Sequence, residues 1–310
     1  MTDTVIIAKN NHYGLTRDAE LLADAIRQAG VAVDIVGASD RPFFDRLVGR
    51  KTVRRAIHLE RLAPQWLSAA HENILVPNQE RFPRRHVRRL RRADLILAKT
   101  IEACAAFAGL GVPIEFLGFS SPDRFDPEVV KNWGRVLHLA GGSTLKGTED
   151  VLALWDKHPE WPELVLVQKQ ENAPVRVADN VKLIAGYLDD AGLRRLQNEC
   201  GIHICPSRSE GWGHNIVEGL SCGSLVITTD GAPMNEHVRP EFGLLASVIR
   251  TEPRHLGTNH FVGMDALAET VNAAVVMPWS KKAAMGAMAR QRFLGIDAGF
   301  RERVRALLGG

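Results

Sequence analysis

Short apolar runs alternate with longer stretches of helical periodicity along most of the chain. "TVIIAK" opens the pattern, followed by a polar turn, "NNHYGLT", and then "RDAELLADAIRQAG". In that stretch Leu21, Leu22, Ala25 and Ile26 fall on one helical stripe, and Gly30 supplies a stop. "VAVDIVG" predicts the next strand, and "AIHL" (56–59), "NILVP" (73–77), "LILA" (95–98) and "IEFLG" (114–118) predict further buried strands. Strands that are apolar throughout and joined by helix-length segments imply a parallel sheet covered on both faces.

Turn formers crowd "SSPDRFDP", residues 120–127, and the alternation then restarts. "RVLHLAGG" predicts a strand, "KGTEDVLALWDKH" a helix and "ELVLVQ" a strand; "VKLIAGYL", "GIHICPS" and "LVITTD" repeat the theme, and the chain from Met264 onward reads as helical. No short internal repeat interrupts this order. The pattern predicts two α/β domains with a cleft between them.

A length of 310 residues leaves room for two separate cores. The balance of 45% hydrophobic and 24% charged residues is that of a globular chain. No apolar run reaches the roughly 18 residues needed to span a bilayer. The start, "MTDTVIIAKNN", lacks the basic and apolar regions of a signal peptide, so a cytoplasmic protein is expected. Cys104, Cys200, Cys205 and Cys222 lack tight metal-ligand spacing and are expected as reduced core thiols. Charge changes the picture more. Residues 41–92 hold 14 Lys plus Arg against 4 Asp plus Glu, and "RFPRRHVRRLRR" alone carries seven arginines. This is either a solvated helix face or a surface for anionic lipid or a phosphorylated acceptor, placing the protein peripherally on the inner face of the membrane. No zinc-finger, homeodomain-like or aromatic-interleaved pattern accompanies it, so nucleic acid is not expected.

In open parallel sheets ligands bind beyond the carboxyl ends of strands, where glycine-rich turns lead into helices. Three such turns stand out. "KNNHYGLT" places Gly14 before a helix. "AGGSTLKGT" offers Gly141, Gly142, Ser143 and Thr144, with Lys146 near a helix start, a combination suited to phosphate although its spacing is not that of a P-loop. "SEGWGHNIVEGLSCG" puts Glu210 at a strand end, Gly211 and Gly213 around Trp212, and a helix from near His214 with Glu218 about one turn inside. Carboxylates accept from vicinal hydroxyls, and helix N-terminal amides, here including Asn215, favour phosphate. Hydroxyls at both ends with phosphates between describe a nucleotide sugar.

"PSRSEGWGHNIVEGLSCGSLVITTD" resembles the Glu-(seven residues)-Glu signature of retaining GT-B glycosyltransferases, the large family four. Weaker similarity extends through "ADLILAKTIEACAAFAGLGVPIEFLGFSSPDRFDP", "LKGTEDVLALW" and "GYLDDAGLRRLQNECGIHICPS". The resemblance implies a GT-B fold: two Rossmann-like domains facing each other across a cleft. Residues 1–127 would form the acceptor side and 128–295 the nucleotide-sugar side, with a terminal helix over 296–310 crossing back to the first. It implies that Glu210 contacts the donor sugar, Glu218 the ribose and Lys146 the diphosphate, while Gly14 approaches from the opposite domain. No metal and no cofactor beyond the nucleotide-sugar co-substrate is expected, and the acceptor would be a glycan, glycolipid or small molecule, as in polysaccharide biosynthesis.

Two departures qualify the resemblance. The arginine usual a few residues before the lysine is missing from Leu139-Ala140-Gly141-Gly142. The histidine usual at a strand end of the first domain is replaced by Asn78, Gln79 and Glu80, with His58 and Glu60 on the preceding strand. Glu80 and His58 are therefore the acceptor-side catalytic candidates. Alternative functions are a non-catalytic sugar-nucleotide-binding partner of another transferase, or another GT-B enzyme such as a sugar-nucleotide epimerase.

Overall fold

A computed structural model describes residues 3–9, 14–186 and 188–309. They divide into two units: Met1–Ser120 with Pro253–Thr258 and Ile296–Gly310, and Ser121–Glu252 with Asn259–Gly295.

Unit 1 follows the order β1 (Thr4–Ile7), α1 (Gly14–Gln28), β2 (Val33–Val36), α2 (Phe43–Leu47), β3 (Val53–Glu60), β4 (Ala70–Pro77), β5 (Leu95–Ala98), α3 (Ile101–Phe107) and β6 (Ile114–Phe116). Its six strands form one sheet in the order β2-β1-β3-β4-β5-β6, parallel throughout. Central strands are apolar because both faces are covered, whereas β2 and β6 at the edges are partly exposed. α1 turns Ala19, Leu22, Ala23 and Ile26 inward, and Thr100 caps α3 by accepting from the Ala103 amide at 3.0 Å.

The arginine-rich segment is not an α-helix. Arg84–Arg92 forms consecutive 3-10 turns. At three residues per turn, Arg84, Val87 and Leu90 share one stripe. Leu90 is buried and Val87 packs with Phe82 and Leu75 in the core. Arg85, Arg88 and Arg91 fall on a second stripe, and His86, Arg89 and Arg92 on a third.

Unit 2 contains β7 (Asn132–Gly141), α4 (Thr148–Lys157), β8 (Leu164–Gln168), β9 (Val181–Ala185), α5 (Asp190–Glu199), β10 (Cys200–Cys205), α6 (His214–Ser221), β11 (Leu225–Thr229), α7 (Met234–His237), β12 (Gly243–Ala246), α8 (Met264–Val276) and most of β13 (Val248–Arg254) and β14 (Gly257–Val262), whose tip, Pro253–Thr258, belongs to unit 1. Its parallel sheet runs β12-β11-β10-β7-β8-β9. Every residue of β10 and β11 is buried, and Trp155, Leu166, Ile204, Ile227 and Leu267 fill one face of the sheet. The ribbon β13–β14 and strand β12 carry no sequence signal, since most of β13 is exposed and so needs no apolar period. The last helix, α9 (Trp279–Leu308), runs unbroken through Ile296, so the final residues end a 30-residue helix rather than forming one of their own.

Candidate active site

Successive strands of unit 2 step outward from β7 through β8 to β9, and the chain then returns to lay β10, β11 and β12 on the other side of β7. The direction reverses between β7 and β10, the place where parallel sheets open a crevice for ligands. The two loops leaving these carboxyl ends are joined to each other. The Arg208 amide donates to Leu145 O at 2.8 Å. Gly147 has φ +67°, and a Cβ there would lie 2.5 Å from Pro206 O, so only glycine permits this approach.

This junction brings together three of the expected residues. The Lys146 ammonium donates to Glu210 Oε1 at 2.6 Å and to Asn215 Oδ1 at 2.8 Å. Both members of the ion pair are about six-sevenths buried, at 16% and 14% side-chain exposure. Gly213, at φ +99°, turns the chain into α6, so that His214 and Asn215 open that helix. Below the pair, burial and then the Lys146 charge hold His138 down to about 4 despite a bond with Ile204 O, so it stays neutral. Burial likewise pushes the Cys205 thiol up to about 12, which makes it a packing residue. Two buried polar atoms nearby, Asn215 Nδ2 and Ser207 Oγ, have no hydrogen-bond partner among the described residues, the condition expected where a ligand completes the set.

Glu218 stands one turn inside α6 and is 3% exposed. Gln197 Nε2 donates to its Oε2 at 2.8 Å, Arg124 Nε donates to Gln197 Oε1 at 2.8 Å, and Arg124 pairs with Asp190. The two glutamates thus have different keepers: an ammonium for Glu210, a neutral amide for Glu218. Between them, His237 Nε2 donates to Trp212 O at 2.6 Å and the two rings meet edge to face. Trp212 Nε1 donates to Ser121 Oγ at 3.2 Å, and His214 Nδ1 lies 2.8 Å from the same hydroxyl. Gly211 is buried in this turn.

On the other loop, Ser143 Oγ accepts from the Leu145 amide at 3.2 Å, and Thr144 and Gly142 are exposed. Gly142 is overlaid by Lys169, a residue the sequence did not single out. A Cβ at position 142 would lie 2.9 Å from Lys169 Cδ and 3.5 Å from its Nζ, while the Lys169 amide donates to Gly141 O at 3.1 Å. A lysine at the end of the neighbouring strand therefore occupies the space that a side chain at 142 would take. Arg208, also unforeseen, is engaged elsewhere: it pairs with Glu149 at 2.7 Å and Asp150 at 3.0 Å.

The remaining candidates belong to unit 1. His58 is fully buried: its Nδ1 accepts from the Ala63 amide and its Nε2 meets Asn73 Oδ1, both at 3.1 Å. Burial lowers it to about 4. Its geometry is that of a neutral core residue holding β3 to β4. Glu80 lies at the carboxyl end of β4 and is buried, 3.7 Å from Arg81 Nε. Gly257 packs directly against its backbone, and the Leu256 amide donates to Gln79 O at 3.2 Å. Gly14 begins α1 with open space around it; residues 10–13 of its turn lie outside the described residues.

Residues 168–250 match the family described as Glycosyl transferases group 1. No curated protein matches the chain in sequence. Solved structures match over nearly its full length. Sucrose-phosphate synthase from Thermosynechococcus elongatus superposes with TM-score 0.74 at 15% identity, covering 99% of this chain and 98% of its own. A glycosyltransferase from Rickettsia africae ESF-5 gives 0.72 at 14%, covering 98% and 97%. Alr3699/HepE from Anabaena, solved with UDP and glucose, gives 0.69 at 15%, covering 98% and 100%. Two parallel six-stranded sheets of this topology give the chain a GT-B fold, and its segment 168–250, which carries Glu210 and Glu218, is similar to the group 1 glycosyl transferases.

Proposed function

We propose that this chain moves a sugar from a nucleoside diphosphate sugar to a hydroxyl acceptor, retaining the anomeric configuration and using no metal ion. The observation that carries the reading is the Lys146 ammonium, held by Glu210 and Asn215 at the crevice between β7 and β10. As the bond from sugar to diphosphate breaks, negative charge grows on the leaving phosphate, and donors fixed in advance stabilise it without reorganising. Lys146, Lys169 and the opening amides of α6 supply those donors here. Glu210 accepts from hydroxyls of the donor sugar. Glu218, oriented by Gln197, accepts from the ribose.

The Anabaena neighbour is solved with UDP and glucose, which favours a UDP-sugar donor. Lys169 lying across Gly142 supports an active enzyme over a degenerate binding partner, because it returns a cation to the place where the arginine is missing. The acceptor would be a glycan, glycolipid or small molecule met by unit 1, with polysaccharide biosynthesis as the setting. The exposed arginines of 81–92 favour a cytoplasmic protein resting on an anionic membrane face. Thermal shift against UDP-, GDP- and ADP-sugars, followed by donor turnover with the best binder, tests the reading. A UDP-sugar should raise Tm and be consumed. If no nucleotide sugar stabilises the protein or turns over, the reading is wrong.

A further inference from the structure

We infer that unit 1 inserts α2 into the anionic face of a phospholipid bilayer, a docking surface separate from the candidate active site and independent of the transferase reading. α2 buries none of its residues. Phe43, Phe44, Leu47 and Val48 are 69%, 76%, 70% and 65% exposed, four large apolar side chains within six positions. Scattered exposed apolar residues are ordinary, but a contiguous set marks an interaction surface.

The helix is held in this exposed position. Arg41 is buried beside it; its Nη1 donates to Gln65 O and Ser68 Oγ, both at 2.7 Å. Its Nη2 donates to Asp45 O at 3.0 Å and Arg50 O at 2.8 Å. One guanidinium therefore fastens the backbone of α2 and of the segment after it to the approach of β4. Nothing in that anchoring covers the phenylalanines.

Charge identifies the occupant. Arg46, Arg50, Lys51 and Arg54 are exposed around α2, against Asp40 and Asp45, with Arg54 paired to Asp3. The crossovers β2 to β3 and β4 to β5 advance in the same direction across the sheet, so right-handed connections place both on one face. The first carries α2 and the second carries the stripes of Arg85, Arg88 and Arg91 and of Arg89 and Arg92. They enter the amino ends of β3 and β5, two strand spacings or about 10 Å apart. The 14 basic residues against 4 acidic over 41–92 repel a second copy of the same surface. A bilayer answers both features: its interior takes the phenylalanines and leucine, and its anionic headgroups take the arginines. No helix among the described residues is long and apolar enough to cross a membrane, so this attachment is from one side.

The full chain should co-sediment with vesicles of mixed phosphatidylglycerol and phosphatidylcholine, and not with phosphatidylcholine alone. Phe43→Ser/Phe44→Ser should weaken binding about tenfold at low salt and leave it fully salt-sensitive. Arg88→Ser/Arg91→Ser should weaken it at low salt while sparing insertion. Phe44→Cys carrying an environment-sensitive fluorophore should shift to the blue when the mixed vesicles are added. Wild type that ignores these vesicles, a phenylalanine variant that binds like wild type, or a label that does not shift overturns the inference. So does concentration-dependent dimerisation that the phenylalanine variant abolishes, which assigns the patch to a second copy.

Discussion

Lys146→Met keeps most of the side-chain length and deletes its charge, which isolates what the ammonium does. In the structure that ammonium makes two short bonds, 2.6 Å to Glu210 and 2.8 Å to Asn215, in surroundings that exclude most water. A charge-assisted contact of this kind to a diphosphate contributes about 1.5–3 kcal/mol, so UDP affinity should fall about 10- to 100-fold. Uridine, which has no phosphate, should bind within about twofold of wild type if the two ends of the ligand act separately. Glu210→Gln makes the opposite perturbation. It removes the carboxylate that competes for Lys146, so UDP should bind as tightly as before or up to about tenfold more tightly. Turnover of a UDP-sugar should drop strongly, since contacts that strengthen in the transition state set kcat. Calorimetry with UDP and uridine, beside steady-state kinetics, reads both variants. The reasoning fails if Lys146→Met weakens uridine as much as UDP. It fails equally if Glu210→Gln weakens UDP as much as Lys146→Met does, because a carboxylate cannot hold a phosphate in place of the ammonium.

Lys169→Ala should weaken UDP about tenfold by loss of one cation, and adding Gly142→Arg in that background should restore it; calorimetry that shows no loss removes Lys169 from the site. Glu218→Ala leaves the buried Gln197 amide without its acceptor, so the urea midpoint should fall with a loss of about 1–3 kcal/mol, and UDP and UDP-sugar should weaken together. An unchanged midpoint and affinity would reduce Glu218 to a helix residue. His58, His138, His203 and His237 are each lowered by burial to about 4 in the folded chain. The unfolded chain therefore binds more protons between about pH 6.5 and 4, so stability is full above about 6.5 and lost as pH falls toward 4. Each histidine contributes on the order of 3 kcal/mol to that loss, and urea midpoints that stay flat from pH 7.5 to 5 would refute it.

The order of strands and helices and the placement of the Glu210 loop were legible in the amino-acid pattern, because local propensity and burial agree there. "GIHICPS" and "LVITTD" are mostly apolar, with no polar alternation, since β10 and β11 are covered on both faces, and Glu218 reads as a helical residue from its spacing alone. Glycine before a helix gave Gly213 and the phosphate-suited turn ahead of Lys146. β12 and the ribbon β13–β14 were not legible: an exposed ribbon has no buried face to impress a period on its residues. Nor was the 3-10 form of Arg84–Arg92, whose inward stripe rests on only Val87 and Leu90.

Tertiary structure alone decided who partners whom. Lys146 and Glu210 are 64 positions apart and meet because β7 and β10 are neighbours, which is a property of strand order and leaves no trace in either loop. The same is true of Lys169 over Gly142, across β7 and β8. His58 shows the converse: a histidine at a strand end invites a catalytic role, and only its enclosure between Ala63 and Asn73 reveals a neutral core residue. The exposure of Phe43 and Phe44 belongs with these, since an apolar residue in sequence carries no mark of whether its own domain covers it. Short-range pattern writes secondary structure into the chain, while long-range pairing, which fixes charge neighbours and solvent exposure, exists only once the sheets are assembled.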